Sequence, residues 1–134
     1  MPNATLAHVM KEQFGDAFDI LAASVPVFTP EEWRTGGSPF DGPARGVAHA
    51  LQCAEYYPRP SRAIFGNLGK PIWEMGEEDL PDQAGMAEYL EKTRAMTMAW
   101  IDEIAEIGFD QPSGDDGTIG LARLDHAGGN VPAL

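Results

Sequence analysis

Apolar side chains recur at helical spacing along the first part of the chain, and this pattern predicts a helix. Asn3 or Thr5 can cap its start, and the helix should run towards Pro26. His8 falls on its polar face with Glu12 one turn later, so we expect a solvated histidine there. The apolar positions form one broad stripe, made of Leu6, Val9, Met10, Phe14, Ala17, Phe18 and Leu21.

A second helix is predicted from Pro43 to Tyr57. Proline suits the first turn of a helix, and two prolines directly after the stretch stop it. Charge is confined to Arg45 and Glu55, so we expect this helix to lie between neighbours and to be buried on more than one side. Its main apolar side is made of Val47, Ala50, Leu51, Ala54 and Tyr57.

The strongest helical pattern runs from about Leu80 to Gly108. Pro81 suits the start of this third helix, and the glycine suits its end. Residues 58–79 mix glycines with apolar side chains, which indicates an ordered connection across the core with a short helical turn. The buried stripe of the third helix is predicted to be Met86, Tyr89, Leu90, Thr93, Met96, Trp100, Ile101, Ile104 and Ile107.

The remaining residues predict only a weak helix. A turn at residues 114–117 precedes it, and a short fourth helix should begin near Thr118 and fray after His126. Two glycines and Pro132 follow, and in a helix they cost about 1 and about 3 kcal/mol per residue, respectively. No useful β-alternation is present, so the pattern predicts an all-α bundle that forms a single domain over residues 1–134.

Charge and composition narrow the range of binding partners that we expect. The net charge is −12, with 21 acidic and 9 basic side chains, which disfavours nucleic acid and anionic membranes. Cys53 is the single cysteine and cannot form an internal disulfide, and neither a secretory leader nor a spanning stretch is visible. We therefore expect a soluble cytoplasmic protein.

Candidate chemistry centres on His49 in the second predicted helix. It lies with Cys53 and Tyr56 at the edge of the apolar arc, where a neutral imidazole can bind nickel, zinc or iron. A half-buried histidine bonded to a carbonyl or hydroxyl would give the same pattern. Cys53 is better interpreted as small core packing than as a nucleophile, because no third group is identifiable to orient a Cys-His pair.

Two further groups of side chains have simpler interpretations. Trp33, Trp73 and Trp100 could line a pocket between helices, but we interpret most of the aromatic residues as core. The acidic residues between positions 74 and 82 lack the spacing of a calcium loop and indicate a solvated connection.

The order of these elements resembles the DinB/YfiT-like family. The resemblance rests on three long helices, a long second connection, a histidine within VAHALQCAEYY and the late His126, and on the stretches FTPEEW and EYLEKTRAMTMAWI. It covers most of the chain and implies an up-down-down-up four-helix bundle. It also implies a metal held by one histidine of helix two and by two of helix four in the pattern H-x3-H. His49 and His126 match two of these positions, Asn130 stands at the third, and Pro132 stands where the family usually has glycine.

The resemblance implies metal-assisted transfer or addition of a small thiol, because characterised members include thiol-dependent transferases and isomerases. Two imidazoles and an amide leave more of the coordination to water than a three-ligand catalytic site does, so we expect a divalent metal to bind weakly or not at all. Glu55 lies too far round the helix from His49 to be a convenient substitute. Whether the protein is an enzyme stays open. The alternative is a non-enzymatic bundle that binds a small apolar ligand or forms a homodimer, which would cover the seam beside a short fourth helix.

Overall fold

The protein is all-α over the residues that the structure describes. The structure is a computed structural model that describes residues 3–35, 42–56, 58 and 67–109. Four helices lie within these ranges: α1 (Asn3–Ser24), α2 (Pro30–Arg34), α3 (Pro43–Tyr56) and α4 (Gln83–Ile107). Short 3-10 turns occupy Val25–Val27, Ile72–Glu74 and Glu77–Asp79. The predicted all-α class is thereby confirmed, whereas the short fourth helix, predicted to begin near Thr118 and to fray after His126, lies outside the described residues.

Helices α1 and α4 pack against each other in opposite directions. Lys11, in the first half of α1, forms an ion pair of 2.7 Å with Asp102 near the end of α4. Asp19, near the end of α1, forms one of 2.9 Å with Arg94 in the middle of α4. Gln83 begins α4 and donates to two backbone carbonyls just beyond α1. The polar contacts therefore align the two helices along most of their length.

Helix α2 is a short element that the periodicity did not predict. The Thr29 hydroxyl accepts a hydrogen bond from the Glu32 N–H at 3.1 Å, and the Glu32 carboxylate accepts one from the Thr29 N–H at 2.9 Å. This reciprocal capping box, with Pro30 at the first helical position, starts a helix even in a five-residue stretch. It places Trp33 in the core, where the indole N–H donates to the Pro81 carbonyl at 3.0 Å.

Helix α4 begins three residues later than predicted and ends as predicted. Leu80 is extended, and the Asp82 side chain caps the helix by accepting from the Gly85 N–H at 2.8 Å. Gly108 ends the helix with a φ of 109°, which favours glycine. Met96 and Ile107, predicted to be buried, are exposed. The other predicted stripe positions are buried except for the half-buried Trp100.

The core gathers side chains from all four helices and from the connection before α4. On α1 only Ala7 and Phe18 are buried, whereas Val9, Phe14 and Ile20 are exposed, so the predicted stripe of α1 is covered only in part by the described residues. None of the described helices combines the length and the apolar character needed to cross a membrane. The main core cluster consists of Phe18, Val25, Trp33, Ala44, Val47, Ala48, Leu51, Ile72, Met75, Leu80, Met86, Tyr89 and Leu90.

Candidate functional site

His49 and Cys53 form a side-chain pair on one face of α3. They lie four residues apart, which places them on adjacent turns of the same face. Nε2 of His49 is 3.9 Å from Sγ of Cys53, and both residues are half-buried. Nδ1 of His49 is buried and has no hydrogen-bond partner among the described residues. Buried polar atoms are nearly always paired, so an unpartnered Nδ1 is unusual, and no observed hydrogen bond at this atom fixes the tautomer of the imidazole.

The thiol of Cys53 is not activated as a nucleophile. Burial raises its pKa above the ordinary value, because a thiolate is disfavoured away from water. A catalytic cysteine needs the opposite shift, which a nearby cation or a helix N-terminus would supply. The pair therefore does not fit a Cys-His nucleophile, in agreement with the interpretation from the sequence.

A buried polar cluster lies beside this pair. The hydroxyl of Tyr89 on α4 donates to the carboxyl group of Glu55, and Nδ2 of Asn67 donates to the other carboxyl oxygen at 2.9 Å. Burial raises the pKa of Tyr89 strongly, and the hydrogen bond to Glu55 and the charges of Glu55 and Cys53 raise it further. Cys53 is thus near enough to the cluster to affect the pKa of Tyr89. Both oxygens of Glu55 accept a hydrogen bond, and these two contacts hold the carboxyl group towards Tyr89 and Asn67.

Gln52 holds the connection before α4 against α3. Its Nε2 donates to the Lys70 carbonyl at 2.8 Å, and its Oε1 accepts from the Ile72 N–H at 2.8 Å. The side chain is almost fully buried, with 1% of its surface exposed. The side-chain amide of Gln52 therefore satisfies one backbone acceptor and one backbone donor of the connection, at Lys70 and Ile72.

Arg45, near the start of α3, also holds the connection against this helix. Its guanidinium donates to the carbonyls of Ile72 at 3.1 Å and Met75 at 3.0 Å, and it lies 3.7 Å from the Glu77 carboxylate. Sequence reasoning did not identify Arg45, Gln52 and Glu55 as the polar side chains that are buried on a second side of α3. The sparse charge of α3 was the available signal, and it did predict burial on more than one side.

The predicted site residues are only partly within the described chain. His49 is placed as above, whereas His126 and Asn130 lie outside the described residues. Within the described ranges, no group of three or more His, Cys, Asp or Glu side chains could hold a metal ion. His8 is exposed and pairs with Glu12 at 2.6 Å, as predicted.

The tryptophans divide among three environments. Trp33 is in the core, Trp100 is half-buried, and Trp73 has 52% of its surface exposed. Trp73 belongs to a 3-10 turn in which Ile72 supplies the buried side chain.

The described helices also form an open groove where the end of α1 meets the start of α4. It encloses about 480 Å³ and is lined mainly by apolar residues, namely Ala22, Val25, Pro26, Phe28, Gln83, Ala84 and Ala87. The volume falls within the range of small-molecule sites, but the groove is open to solvent and has few polar groups to orient a ligand.

Comparison with family models, curated proteins and solved structures finds no match to this chain. The structure itself shows, over the described residues, an all-α protein. It has a half-buried histidine-cysteine pair beside a buried glutamate-tyrosine cluster.

Proposed function

We propose that the protein is a DinB-like helical bundle that binds a divalent metal ion weakly through His49. The supporting observation is the half-buried imidazole on α3, which has an unpartnered Nδ1 and only a long contact from Nε2 to Cys53. Because no hydrogen bond at Nδ1 fixes the tautomer, the proton can reside there and leave the lone pair of Nε2 for a metal. Nickel, zinc and iron all accept imidazole ligands.

The rest of this proposed site comes from the resemblance. His126 and Asn130 are the expected further donors, and the proposed topology is up-down-down-up with a short fourth helix. The antiparallel packing of α1 and α4 supports that topology, since these would be the first and third long helices. An amide oxygen is a poorer ligand than a third imidazole for zinc or nickel, so the proposed affinity is low.

If the protein is an enzyme, the proposed reaction is transfer or addition of a small thiol, with the metal lowering the pKa of the thiol. In that reaction His49 holds the metal, and Cys53 is not the attacking group. The buried contacts of Glu55, Gln52 and Arg45 hold α3 against α4 and the connection, and so keep His49 in place.

The test is the metal content of tag-free protein, followed by titration with nickel, zinc and iron. His49→Ala should lose the metal, whereas His8→Ala, which changes an exposed histidine, should retain it. Metal binding that is indifferent to His49→Ala, or no binding at all, would refute the proposal. Stoichiometric, His49-dependent metal would justify screening small thiols as substrates.

The second candidate is a non-enzymatic bundle that binds a small apolar ligand, which the 480 Å³ groove favours. Ala87 lines this groove and Ala99 does not, although both are exposed on α4. Ala87→Arg should therefore abolish binding of an apolar fluorescent probe, and Ala99→Arg should leave it unchanged. Equal binding by both variants would exclude the groove as the site.

A homodimer is the other form of this second candidate. The exposed side chains Val9 and Ile20 favour it, because their spacing puts them on one face of α1 and a second chain would remove them from water. Sedimentation equilibrium distinguishes the two states: a monomer mass at high concentration would exclude the dimer, and Ile20→Glu should dissociate a dimer that uses this face.

A further inference from the structure

We propose that Cys53 is a metal ligand together with His49, so that α3 alone supplies a thiolate-imidazole pair for a thiophilic cation such as zinc. This inference rests on the proposed metal binding at His49 and adds a second strong donor to it. It assigns Cys53 a role other than core packing. It also removes the need for Asn130 to act as a strong ligand.

The distance between the two donor atoms fits such a site. A zinc ion bound at about 2.3 Å to sulfur and about 2.0–2.1 Å to nitrogen holds the two donors about 3.6 Å apart when the angle is tetrahedral. The observed separation of Nε2 and Sγ is 3.9 Å, roughly 0.3 Å wider. A small rotation of either side chain closes this difference, and the backbone of α3 need not move.

The surroundings of the pair allow a cation to enter. Both side chains are half-buried and therefore partly open to solvent. Gly46, one turn before His49, is exposed, and a Cβ added there would meet no atom of the described residues within 4 Å. As far as the described residues show, this side of α3 thus has room for the further ligands of a four-coordinate metal.

The chemistry selects the class of cation. One thiolate and one imidazole form a softer donor set than two imidazoles and an amide, and thiolates favour zinc and copper(I) over magnesium or calcium. Binding forms a metal-sulfur and a metal-nitrogen bond, and the thiol proton passes to solvent. No oxidation or reduction is involved.

Cobalt(II) is the probe, because a cobalt-thiolate bond gives an ultraviolet charge-transfer band that a cobalt-imidazole bond lacks. Titration of the reduced wild-type protein should produce this band, and zinc should bleach it by displacement. Cys53→Ser should lose the band and bind cobalt at least about tenfold more weakly, while His8→Ala behaves as wild type. His49→Ala should lose most of the binding, since a single thiolate remains.

The outcomes separate this inference from the proposed function. His49-dependent cobalt binding without a thiolate band would overturn the role of Cys53 and leave metal binding at His49 standing. A thiolate band that persists unchanged in His49→Ala would overturn the pair. An absence of cobalt binding in wild type would refute both.

A second measurement needs no variant. Cys53 is the only cysteine, so the reaction of the wild-type protein with a thiol reagent reports on this side chain alone. Zinc should slow the reaction at least about tenfold, because a thiolate bound to a metal is less able to attack the reagent. Equal rates with and without zinc, at concentrations that saturate the cobalt signal, would contradict ligation by Cys53.

Discussion

The hydroxyl of Tyr89 donates a hydrogen bond to the buried carboxyl group of Glu55, and this contact joins α4 to α3 inside the protein. Asn67, from the connection, donates to the same carboxyl group at 2.9 Å. Three separate parts of the chain therefore meet at one acidic side chain that has 6% of its surface exposed. A group buried in this way depends on its donors, because water cannot replace them.

Tyr89→Phe should lower the free energy of unfolding by about 1–3 kcal/mol, since it removes a donor from a buried acceptor without removing the ring. Urea denaturation followed by circular dichroism measures this change. Glu88→Gln, on an exposed position of the same helix, is the control and should change stability by less than about 0.5 kcal/mol. Equal stabilities of Tyr89→Phe and wild type would show that the contact contributes nothing.

Alkaline pH should reveal the raised pKa of Tyr89. Its pKa is raised by burial and by the hydrogen bond to Glu55, so the folded protein keeps this phenol protonated where an unfolded tyrosine, with a pKa of about 10, ionises. The stabilisation is present below that pH and is lost as the pH rises further, because the unfolded state then binds fewer protons. Ultraviolet titration should show one tyrosine that ionises only on unfolding, and Tyr89→Phe should lack it.

Gln52→Ala should destabilise the protein by about 1–3 kcal/mol, because the Lys70 carbonyl and the Ile72 N–H both lose their side-chain partner. Hydrogen exchange gives a local readout. The Ile72 amide should exchange faster in the variant than the loss of global stability explains, whereas amides in the middle of α4 should exchange faster only by the amount that this loss explains. Gln13→Ala, an exposed glutamine on α1, is the matched control. Unchanged exchange at Ile72 would contradict the role of Gln52.

The ion pair between Lys70 and Asp79, at 2.8 Å, predicts a pH-dependent difference at acid pH. The hydrogen bond from Lys70 holds the pKa of Asp79 below its ordinary value, helped by the Gly76 N–H. Asp79 therefore stabilises the fold above the pKa of an unfolded aspartate, and this contribution is lost as the pH falls through the lower folded pKa. Asp79→Asn should be less stable than wild type at pH 7, and the difference should vanish in strong acid. A difference independent of pH would contradict this account.

Local sequence signals were sufficient for the start of α3 and the end of α4. Pro43 begins α3 and Gly108 ends α4 as predicted, because proline and glycine act through their own backbone geometry. The capping box of α2 is an equally local signal, since a threonine followed three residues later by glutamate, with proline between, marks a helix start. It was readable in the sequence even though the five-residue helix has no periodicity.

The candidate site was predictable only where it depends on helical spacing. His49 and Cys53 share a face because they are four residues apart, and the sequence placed them together at the border of the apolar arc. The burial of Gln52 and Glu55 depends on partners from the connection and from α4, many residues away along the chain. Helical periodicity assigns such polar residues to solvent, because it contains no information about distant donors and acceptors.

Two glycines should respond in opposite directions to the same substitution. Gly108 has a φ of 109°, so Gly108→Ala should strain the backbone and destabilise the protein by about 1–3 kcal/mol. Gly46 lies within α3, is exposed, and an added Cβ would meet no atom within 4 Å. Gly46→Ala should therefore stabilise the protein by about 0.5–1 kcal/mol, because alanine loses less backbone entropy on entering a helix. Thermal and urea denaturation of both variants measure the contrast, and two shifts of the same sign would contradict the assigned backbone conformation of one of these positions.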